Sequence, residues 1–128
     1  MPTWDYEDGV PLVPVRIVGR ELSISSLALV DTGAKSCVLR DRLAKAMGLE
    51  FAGKESFEGF GGTRAFRAAL VEGRIELAGS AHTVSFAAVG DAHFPRAAPS
   101  VVLGRNLPRL FKVTLDGPNK TMTVDPGL

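Results

Sequence analysis

The stretch Leu27-Ala28-Leu29-Val30-Asp31-Thr32-Gly33-Ala34 carries the strongest structural signal in this sequence. Four apolar residues run without a break into a carboxylate, and threonine and glycine follow at once. Such an unbroken run is typical of a strand that is buried on both faces, and threonine and glycine are typical of a turn. The stretch therefore predicts a buried strand that ends at Asp31 and holds this acid at the floor of a cleft.

A second stretch of the same kind follows later in the chain. Ser100-Val101-Val102-Leu103-Gly104 is again apolar, ends at a glycine and continues as Arg105-Asn106-Leu107. Between the two stretches, extended runs over Phe51–Val71 flank Glu58-Gly59-Phe60-Gly61-Gly62-Thr63, which predicts a hairpin with a glycine-rich tip. Glycines at such a tip allow the backbone to adopt open and closed shapes.

Short apolar runs punctuated by 14 Gly and 8 Pro indicate an all-β protein. Val13–Val18 is expected to form a strand that Pro14 places on a sheet edge, and Asp41–Gly48 a short helix that its last glycine ends. A second short helix is expected over Arg105–Leu110, with its proline in the first turn. Further hairpins are expected over Val71–Val89 and Phe111–Val124.

The bulk composition is that of one soluble globular domain. The chain has 128 residues, of which 45% are hydrophobic and 23% charged, and its net charge is +1. Nucleic-acid binding is not expected, because it would need a basic stripe along the surface. No apolar run reaches the length of a membrane span. We expect an N-terminal arm over residues 1–12 and a single domain over residues 13–128.

The cysteine and histidine residues do not indicate metal or thiol chemistry. Cys37 is the single cysteine, so a reducing compartment such as the cytoplasm fits best, and its apolar neighbours predict a small core residue. His82 and His93 lack the spacing of a zinc site and are expected at the surface. The acidic start of the chain lacks the basic and apolar segments of a secretory signal.

Three elements stand in a distinctive order: Asp-Thr-Gly-Ala at 31–34 after its strand, the glycine-rich tip at 59–63, and Val-Val-Leu-Gly-Arg-Asn-Leu at 101–107. Together they resemble the retropepsin-type aspartic proteases, the single-domain kind found in retroviruses and in many bacterial proteins. The resemblance runs from about Val13 to Val124. It implies an all-β fold with a closed β-barrel of the acid-protease type, one or two short helices and a flap formed by the glycine-tipped hairpin.

The resemblance also implies roles for individual residues. Asp31 would be the catalytic acid, Thr32 would hydrogen-bond across a dimer axis, and Gly33 would offer its carbonyl to the substrate, with Ala34 completing the loop. The mobile flap that binds substrate would comprise Gly59, Phe60, Gly61, Gly62 and Thr63. A second, structural motif would comprise Leu103, Gly104, Arg105 and Asn106.

Two departures from the family pattern concern this second motif. The family usually buries the residue at Arg105, and retroviral members carry carboxylates where this chain has Lys35 and Ser36. A partner for Arg105 must therefore come from elsewhere. Many bacterial members have aspartate in place of Asn106. The resemblance also places much of the dimer contact in the strands of the last hairpin.

Asp-Thr-Gly occurs once, and an aspartic protease needs two carboxylates, so the resemblance implies a homodimer that acts on a peptide or protein substrate. Two close carboxylates share one proton, because like charges in a partly dry site repel each other. The ionised acid takes a proton from water, which attacks the peptide carbonyl, while the protonated acid polarises that carbonyl. This chemistry needs no metal and no cofactor, and it predicts activity on the acid side of neutral.

Other interpretations stay open at this point. Asp31-Thr32-Gly33 could be a plain turn that closes a strand. Residues 43–49 superficially resemble the start of a helix-turn-helix, but no second amphipathic helix follows them. A protein of this fold could also bind peptides without cutting them, or dimerise only on substrate. The intact Asp-Thr-Gly favours the enzyme, because a binding module does not need the acid.

Overall fold

The computed structural model describes residues 3–57, 66–94, 99–107 and 111–125. Within these ranges the chain forms ten strands, the helix α1 (Asp41–Met47) and a 3-10 helix at Asp91–His93. The all-β class predicted from the sequence is therefore confirmed. The strands are β1 (Thr3–Asp5), β2 (Leu12–Val18), β3 (Ser23–Val30), β4 (Cys37–Arg40), β5 (Glu50–Phe57), β6 (Phe66–Leu77), β7 (Ser80–Val89), β8 (Val101–Leu103), β9 (Lys112–Asp116) and β10 (Thr121–Asp125).

Six strands close into a barrel in the order β2-β3-β8-β4-β7-β6, and β2 completes the ring by pairing with β6 through Arg16–Val18. The pairs β3–β8 and β4–β7 are parallel, and the other neighbours are antiparallel. Among the described strands, β5 pairs with β6 alone and stands outside the ring. Closing the ring removes its free strand edges, and the predicted closed barrel is confirmed.

The strand β2 corrects one expectation. Pro14 predicts an edge strand, but β2 pairs with β3 along its whole length and with β6 over Arg16–Val18. Pro14 lies before the β6 contact, opposite Leu27. Val30 N–H donates to the Pro11 carbonyl, and hydrogen-bonded pairs alternate along an antiparallel ladder, so the proline nitrogen faces away from β3. The strand is therefore internal, and its proline costs no ladder hydrogen bond.

The helix expected over Asp41–Gly48 is confirmed as α1. Gly48 ends it in the left-handed conformation, at φ 67°, which glycine adopts without a steric penalty. Ala44 and Met47 are buried against the barrel. None of the helices in the described ranges is long and apolar enough to cross a bilayer.

The prediction of a second helix over Arg105–Leu110 is wrong for the residues that the structure describes, because Arg105–Leu107 forms a turn. The side chain of Asn106 bonds to two other strands at this point, and these contacts hold the turn. Residues 108–110 lie outside the described ranges.

The strand pairs of the predicted hairpins are confirmed. Ala78 and Gly79 connect β6 to β7 with φ values of 52° and 82°, and two successive positive φ values match the right-handed strand twist in a tight hairpin. β9 and β10 pair over their full lengths. β5 and β6 also pair antiparallel, while the glycine-rich tip between them lies outside the described residues.

The strands β1, β10 and β9 form a separate antiparallel sheet, called here the terminal sheet. Met122 and Val124 are buried on its inner face, where half-buried Trp4 and Tyr6 also pack on the barrel core. The N-terminal arm is thus attached to β10 of its own chain.

Buried apolar side chains form two clusters on opposite sides of the barrel wall near Asp31. The larger cluster fills the barrel, and Phe86 is its largest fully buried side chain. Because side chains alternate along a strand, β8 contributes Val101 and Leu103 to this cluster and Val102 to the smaller one. We call the smaller cluster the outer cluster, and its buried members are Val38, Ala68, Ala87, Val89, Phe94 and Val102.

Candidate active site

Asp31 stands at the end of β3, beside β8. Val30 pairs with Leu103 in the parallel ladder, and the Asp31 N–H extends this contact by donating to the Leu103 carbonyl at 3.0 Å. The chain then turns, since Ala34 N–H donates to the Asp31 carbonyl at 3.1 Å. Gly33 N–H donates to Oδ1 of the Asp31 carboxylate at 2.9 Å. Backbone groups therefore fix both the position and the orientation of this half-buried acid.

The end of β8 fits against the segment after Asp31 only because residue 104 is glycine. A Cβ on Gly104 would overlap the carbonyl of Ser36 and lie 2.9 Å from the carbonyl oxygen of Ala34. The next residue, Arg105, donates its N–H to the same Ala34 carbonyl at 2.9 Å. Gly104 thus allows the two sequence motifs to meet backbone to backbone.

The side chain of Asn106 links the second motif to two more strands. Its Oδ1 accepts a hydrogen bond from Cys37 N–H, at the start of β4, at 2.7 Å. Its Nδ2 donates to the Ser85 carbonyl in β7 at 2.9 Å. An amide matches this pair of partners because it offers one acceptor and one donor. The family pattern assigns Asn106 to a structural motif, but no signal in the sequence indicates these contacts.

The side chain of Arg105 corrects an expectation drawn from the resemblance. The family buries this residue, whereas here it is exposed in the single chain. Lys35 and Ser36 stand where a carboxylate would draw the guanidinium inward through charge-assisted hydrogen bonds. Without that carboxylate, the guanidinium stays at the rim of the site.

A cleft of about 330 Å³, called here the Asp31 cleft, opens beside the acid. Its polar rim is formed by Asp31, Thr32 and Arg105. The apolar residues that line it are Val30, Leu103, Leu107, Phe111 and Val113. Because Val113 belongs to β9, this cleft lies between the turn over residues 31–34, called here the Asp31 loop, and the terminal sheet. Nothing in the sequence indicates that Phe111 and Val113 reach the site.

On the other side of the barrel wall, the Asp31 loop borders the outer cluster. Leu29, Ala34 and Leu70 are half-buried and pack against this cluster. Leu70 belongs to β6, one strand of the hairpin that the resemblance identifies as the flap. An apolar surface thus extends from the Asp31 loop to the flap hairpin. The predicted flap residues themselves lie outside the described residues: Gly59, Phe60, Gly61, Gly62 and Thr63.

A buried arginine that the sequence did not single out holds the connection into β8. Arg40 Nη1 donates to Asp91 Oδ1 at 2.9 Å, and its guanidinium lies 4.2 Å from the centre of the Phe94 ring. Its backbone N–H donates to the Ser100 carbonyl at 3.1 Å. One residue thus anchors both ends of the β7–β8 connection. The one feature of the sequence that could have indicated this role is that Arg40 places a charge directly after the apolar run 37–39.

The structure confirms Cys37 as a core residue, since it is fully buried. Burial raises the pKa of its thiol to about 11, so the group is protonated at neutral pH and is a poor nucleophile. His82 is half-buried, with its ring 5.1 Å from the ring of Phe111 in an edge-to-face contact. His82, predicted at the surface, therefore keeps part of its exposure beside Phe111; the side chain of His93 lies outside the described part of the structure. Among the described side chains, no group of three or more His, Cys, Asp or Glu could hold a metal ion.

Comparisons with known proteins agree with this fold. A family model described as aspartyl protease matches residues 13–107. The retroviral protease-like domain of Ddi1 from Leishmania major superposes with a TM-score of 0.53 at 18% identity, over 91% of this chain and 90% of that chain. A protein of unknown function from Legionella pneumophila gives a TM-score of 0.44 at 15% identity, over 77% of this chain and 85% of that chain. No curated protein sequence gave a significant match. The Leishmania domain confirms the retropepsin-like fold.

Proposed function

The chain belongs to the aspartyl protease family, and on that premise we propose that it is an aspartic endopeptidase that works as a homodimer. The observation that carries this proposal is the half-buried Asp31 carboxylate, held by Gly33 N–H at the end of β3, where Ala28 and Val30 are buried in the core. Each subunit supplies one such acid. No second Asp-Thr-Gly occurs in the sequence, so a single chain has half of the required pair.

In the proposed mechanism, the two Asp31 carboxylates share one proton because they face each other in a partly dry cleft. The ionised carboxylate removes a proton from a water molecule, which attacks the carbonyl carbon of the peptide bond. The protonated carboxylate donates a hydrogen bond to the carbonyl oxygen, and a proton then passes to the leaving nitrogen. Thr32 would hold the two loops together across the axis, and the exposed position of this side chain is compatible with that role.

The substrate of the proposed enzyme is an extended peptide with apolar side chains around the cut. The apolar surface between the Asp31 loop and the flap hairpin supports this choice, with Leu29, Ala34 and Leu70 partly accessible on it. An extended peptide can pair with strand edges through its backbone, while pockets select alternate side chains. The residues 59–63 would close over it as a mobile lid.

We further propose that residues 13–128 form the catalytic domain and residues 1–12 an arm. The family match begins at residue 13, and β1 of the arm pairs with β10 of the domain. A single, free and buried Cys37 supports a reducing compartment such as the cytoplasm.

Cleavage of a mixed peptide library tests the proposed activity. Wild type, Asp31→Asn and the matched control Asp8→Asn are compared between acid and neutral pH, with the oligomeric state measured in the same samples. Asp8 lies in an exposed turn at φ 49°, a conformation that asparagine tolerates. We expect the wild type and the control to cut between apolar residues on the acid side of neutral. Asp31→Asn should lose about a thousandfold or more in rate.

Equal cleavage by wild type and Asp31→Asn would contradict the proposal. An absence of cleavage by a dimeric wild type would contradict it as well. In both cases the chain would be better described as a peptide-binding module of the same fold.

A further inference from the structure

A cavity of about 560 Å³ lies beside the connection between β7 and β8. We call it the arginine cavity, and the described residues that line it are Arg40, Arg42, Asp91, Phe94 and Ser100. They come from the end of β4, from α1 and from the two ends of the β7–β8 connection. None of them lines the Asp31 cleft, and the proposed mechanism makes no use of this cavity.

The charges that line the arginine cavity favour an anion. Two guanidinium groups and one carboxylate belong to its described lining, which leaves one positive charge in excess. Arg40 is paired with Asp91, whereas Arg42 is exposed and forms no ion pair with a described residue. Guanidinium N–H groups match the two oxygens of a carboxylate, and such hydrogen bonds are among the strongest in proteins. The cavity therefore suits a carboxylate that approaches Arg42 from solvent.

Arg40 gives the cavity a fixed and charged wall. This residue is 8% exposed, and its guanidinium lies 4.2 Å from the centre of the Phe94 ring. Asp91 Oδ1 is 2.9 Å from Arg40 Nη1, but the Asp91 side chain is 62% exposed, so water weakens the attraction between the two charges. A side chain that is already held in place costs little further entropy when a ligand binds beside it.

The length of β8 gives the distance from this cavity to Asp31. Ser100 lines the cavity and directly precedes β8. At the other end of β8, the Leu103 carbonyl accepts the hydrogen bond from Asp31 N–H. A strand rises about 3.3 Å per residue, so the path from Ser100 to Leu103 spans about 10 Å. An extended peptide advances at the same rate, so a side chain about three residues from the cut bond can reach the cavity.

The outer cluster connects the two places. Leu29 and Ala34, on either side of Asp31 in the sequence, pack against this cluster. Val102 in β8 belongs to it, and Phe94 belongs to it as well while also lining the arginine cavity. The apolar surface that we assign to the substrate therefore ends at the arginine cavity. A peptide with apolar residues at the cut and an acidic residue further along matches this order.

We propose that the arginine cavity binds an acidic side chain of the peptide substrate, about three residues from the cut bond. This inference rests on the proposed function, because it assigns a substrate class to the same enzyme, and it names Arg42 as the residue that determines the preference. Each subunit of the proposed homodimer has one such cavity. Since a twofold axis relates the two cavities, an acidic residue can be bound before or after the cut.

Three matched peptides test this preference. They have the same length and the same apolar residues at the cut, and they carry Glu, Gln or Lys at the third residue from the cut on both sides. The ratio kcat/KM is measured at about pH 6, where a peptide glutamate is ionised. We expect the value for the Glu peptide to be about 3- to 10-fold higher than that for the Gln peptide. The Lys peptide should be cut most slowly, and high salt should reduce these differences.

Variants of the cavity should move the preference in opposite directions. Arg42→Gln removes the unpaired positive charge and should bring the Glu and Gln peptides to about the same kcat/KM. Arg42→Glu should reverse the order, so that the Lys peptide is cut faster than the Glu peptide. Asp91→Asn removes the carboxylate of the described lining but keeps an acceptor for Arg40, and it should raise the preference for Glu about twofold or more.

A matched control separates this effect from a general change in surface charge. Arg20→Gln makes the same substitution as Arg42→Gln, at an exposed residue that does not line the cavity, and should keep the wild-type preference. Thermal unfolding of each variant is measured alongside. Arg42 is exposed on α1, so its replacement should leave the fold intact.

Binding of the same peptides distinguishes the arginine cavity from the proposed activity. The affinities of Asp31→Asn for the Glu and Gln peptides are measured by fluorescence anisotropy, with and without Arg42→Gln, because this measurement needs no cleavage. Equal affinities, no binding of either peptide, or a preference that Arg42→Gln leaves unchanged would overturn the arginine cavity. The protease proposal would then still be decided by the cleavage comparison of wild type and Asp31→Asn. A preference that depends on Arg42, in a chain whose wild type does not cut, would support the cavity and refute the protease.

Discussion

At the scale of single residues, the side chain of Asn106 joins the second motif of the site to two other strands. Its amide accepts from Cys37 N–H and donates to the Ser85 carbonyl. Asn106→Ala removes both bonds and leaves the Cys37 N–H in a buried place without its acceptor. We expect a loss of about 1–3 kcal/mol in the free energy of unfolding, measured by urea denaturation.

The comparison variant for this prediction is Asn106→Asp. It keeps an acceptor for Cys37 N–H but has no donor for Ser85, so part of the stability should remain. An Asn106→Ala protein as stable as the wild type would refute the structural role given to this amide.

Cys37 provides a second prediction at the same scale. Burial raises the pKa of its thiol from the ordinary value of 9.0 to about 11. A reagent that consumes thiolate should therefore label the folded protein far more slowly than the protein in denaturant at the same pH. Labelling is followed by mass spectrometry. Equal rates in the two states would show that the thiol is accessible and would contradict its place in the core.

The residues of the site differ in how far the sequence could predict them. Asp31 and Gly104 end apolar runs, so their positions at strand ends follow from local pattern alone. The bonds of Asn106 join it to strands that are distant in the chain, and nothing near residue 106 encodes what it faces. Arg105 likewise meets the segment after Asp31 only in the folded chain, where its N–H donates to the Ala34 carbonyl, so its exposure cannot be read from the residues around it in the sequence.

At the scale of elements, the antiparallel hairpins could be predicted because turn-forming residues in the sequence separate their strands, and Ala78-Gly79 forms such a turn in the structure. The parallel pairs β3–β8 and β4–β7 join segments that lie far apart in the sequence, so local pattern carries no information on them. The internal position of β2 was missed for a related reason. Pro14 excludes a neighbour only at its own position, and the β6 contact begins at Arg16.

The turn that closes the β9–β10 hairpin gives a prediction with a defined pH dependence. Hydrogen bonds from Asn119, first from its side chain and then from its backbone, hold the pKa of Asp116 below its ordinary value of 3.8. A lowered pKa in the folded state means that the ionised group stabilises the fold above pH 3.8. That contribution is lost as the pH falls through the lower, folded value.

Asn119→Ala removes the larger of these two causes. The pKa of Asp116 should rise toward 3.8, as followed by NMR titration of its carboxyl carbon. The wild type should be more stable than the variant at neutral pH, and the difference should shrink in acid. A constant difference across this range would indicate that the side chain of Asn119 stabilises the turn in some other way.

At the scale of the whole molecule, the proposed dimer with one acid from each chain predicts that inactive chains reduce the activity of the wild-type chains with which they pair. In a dimer of wild type and Asp31→Asn, only one ionisable carboxylate reaches the site. Adding an equal amount of Asp31→Asn to the wild type, well above the dissociation constant, should reduce proteolysis to about half, because chains pair at random. Activity that does not change on mixing would mean that one chain suffices.

The position of β5 outside the closed ring has a consequence for hydrogen exchange. β6 pairs with β7 and in part with β2, whereas β5 pairs with β6 alone among the strands that the structure describes. The hairpin of β5 and β6 is thus fixed to the ring through β6, and β5 can detach while the ring stays intact. Amides of β5 should exchange with deuterium faster than those of β6, at an opening free energy below that of global unfolding. A strand that loosens first, directly before the predicted lid, would let a peptide enter without any change in the barrel.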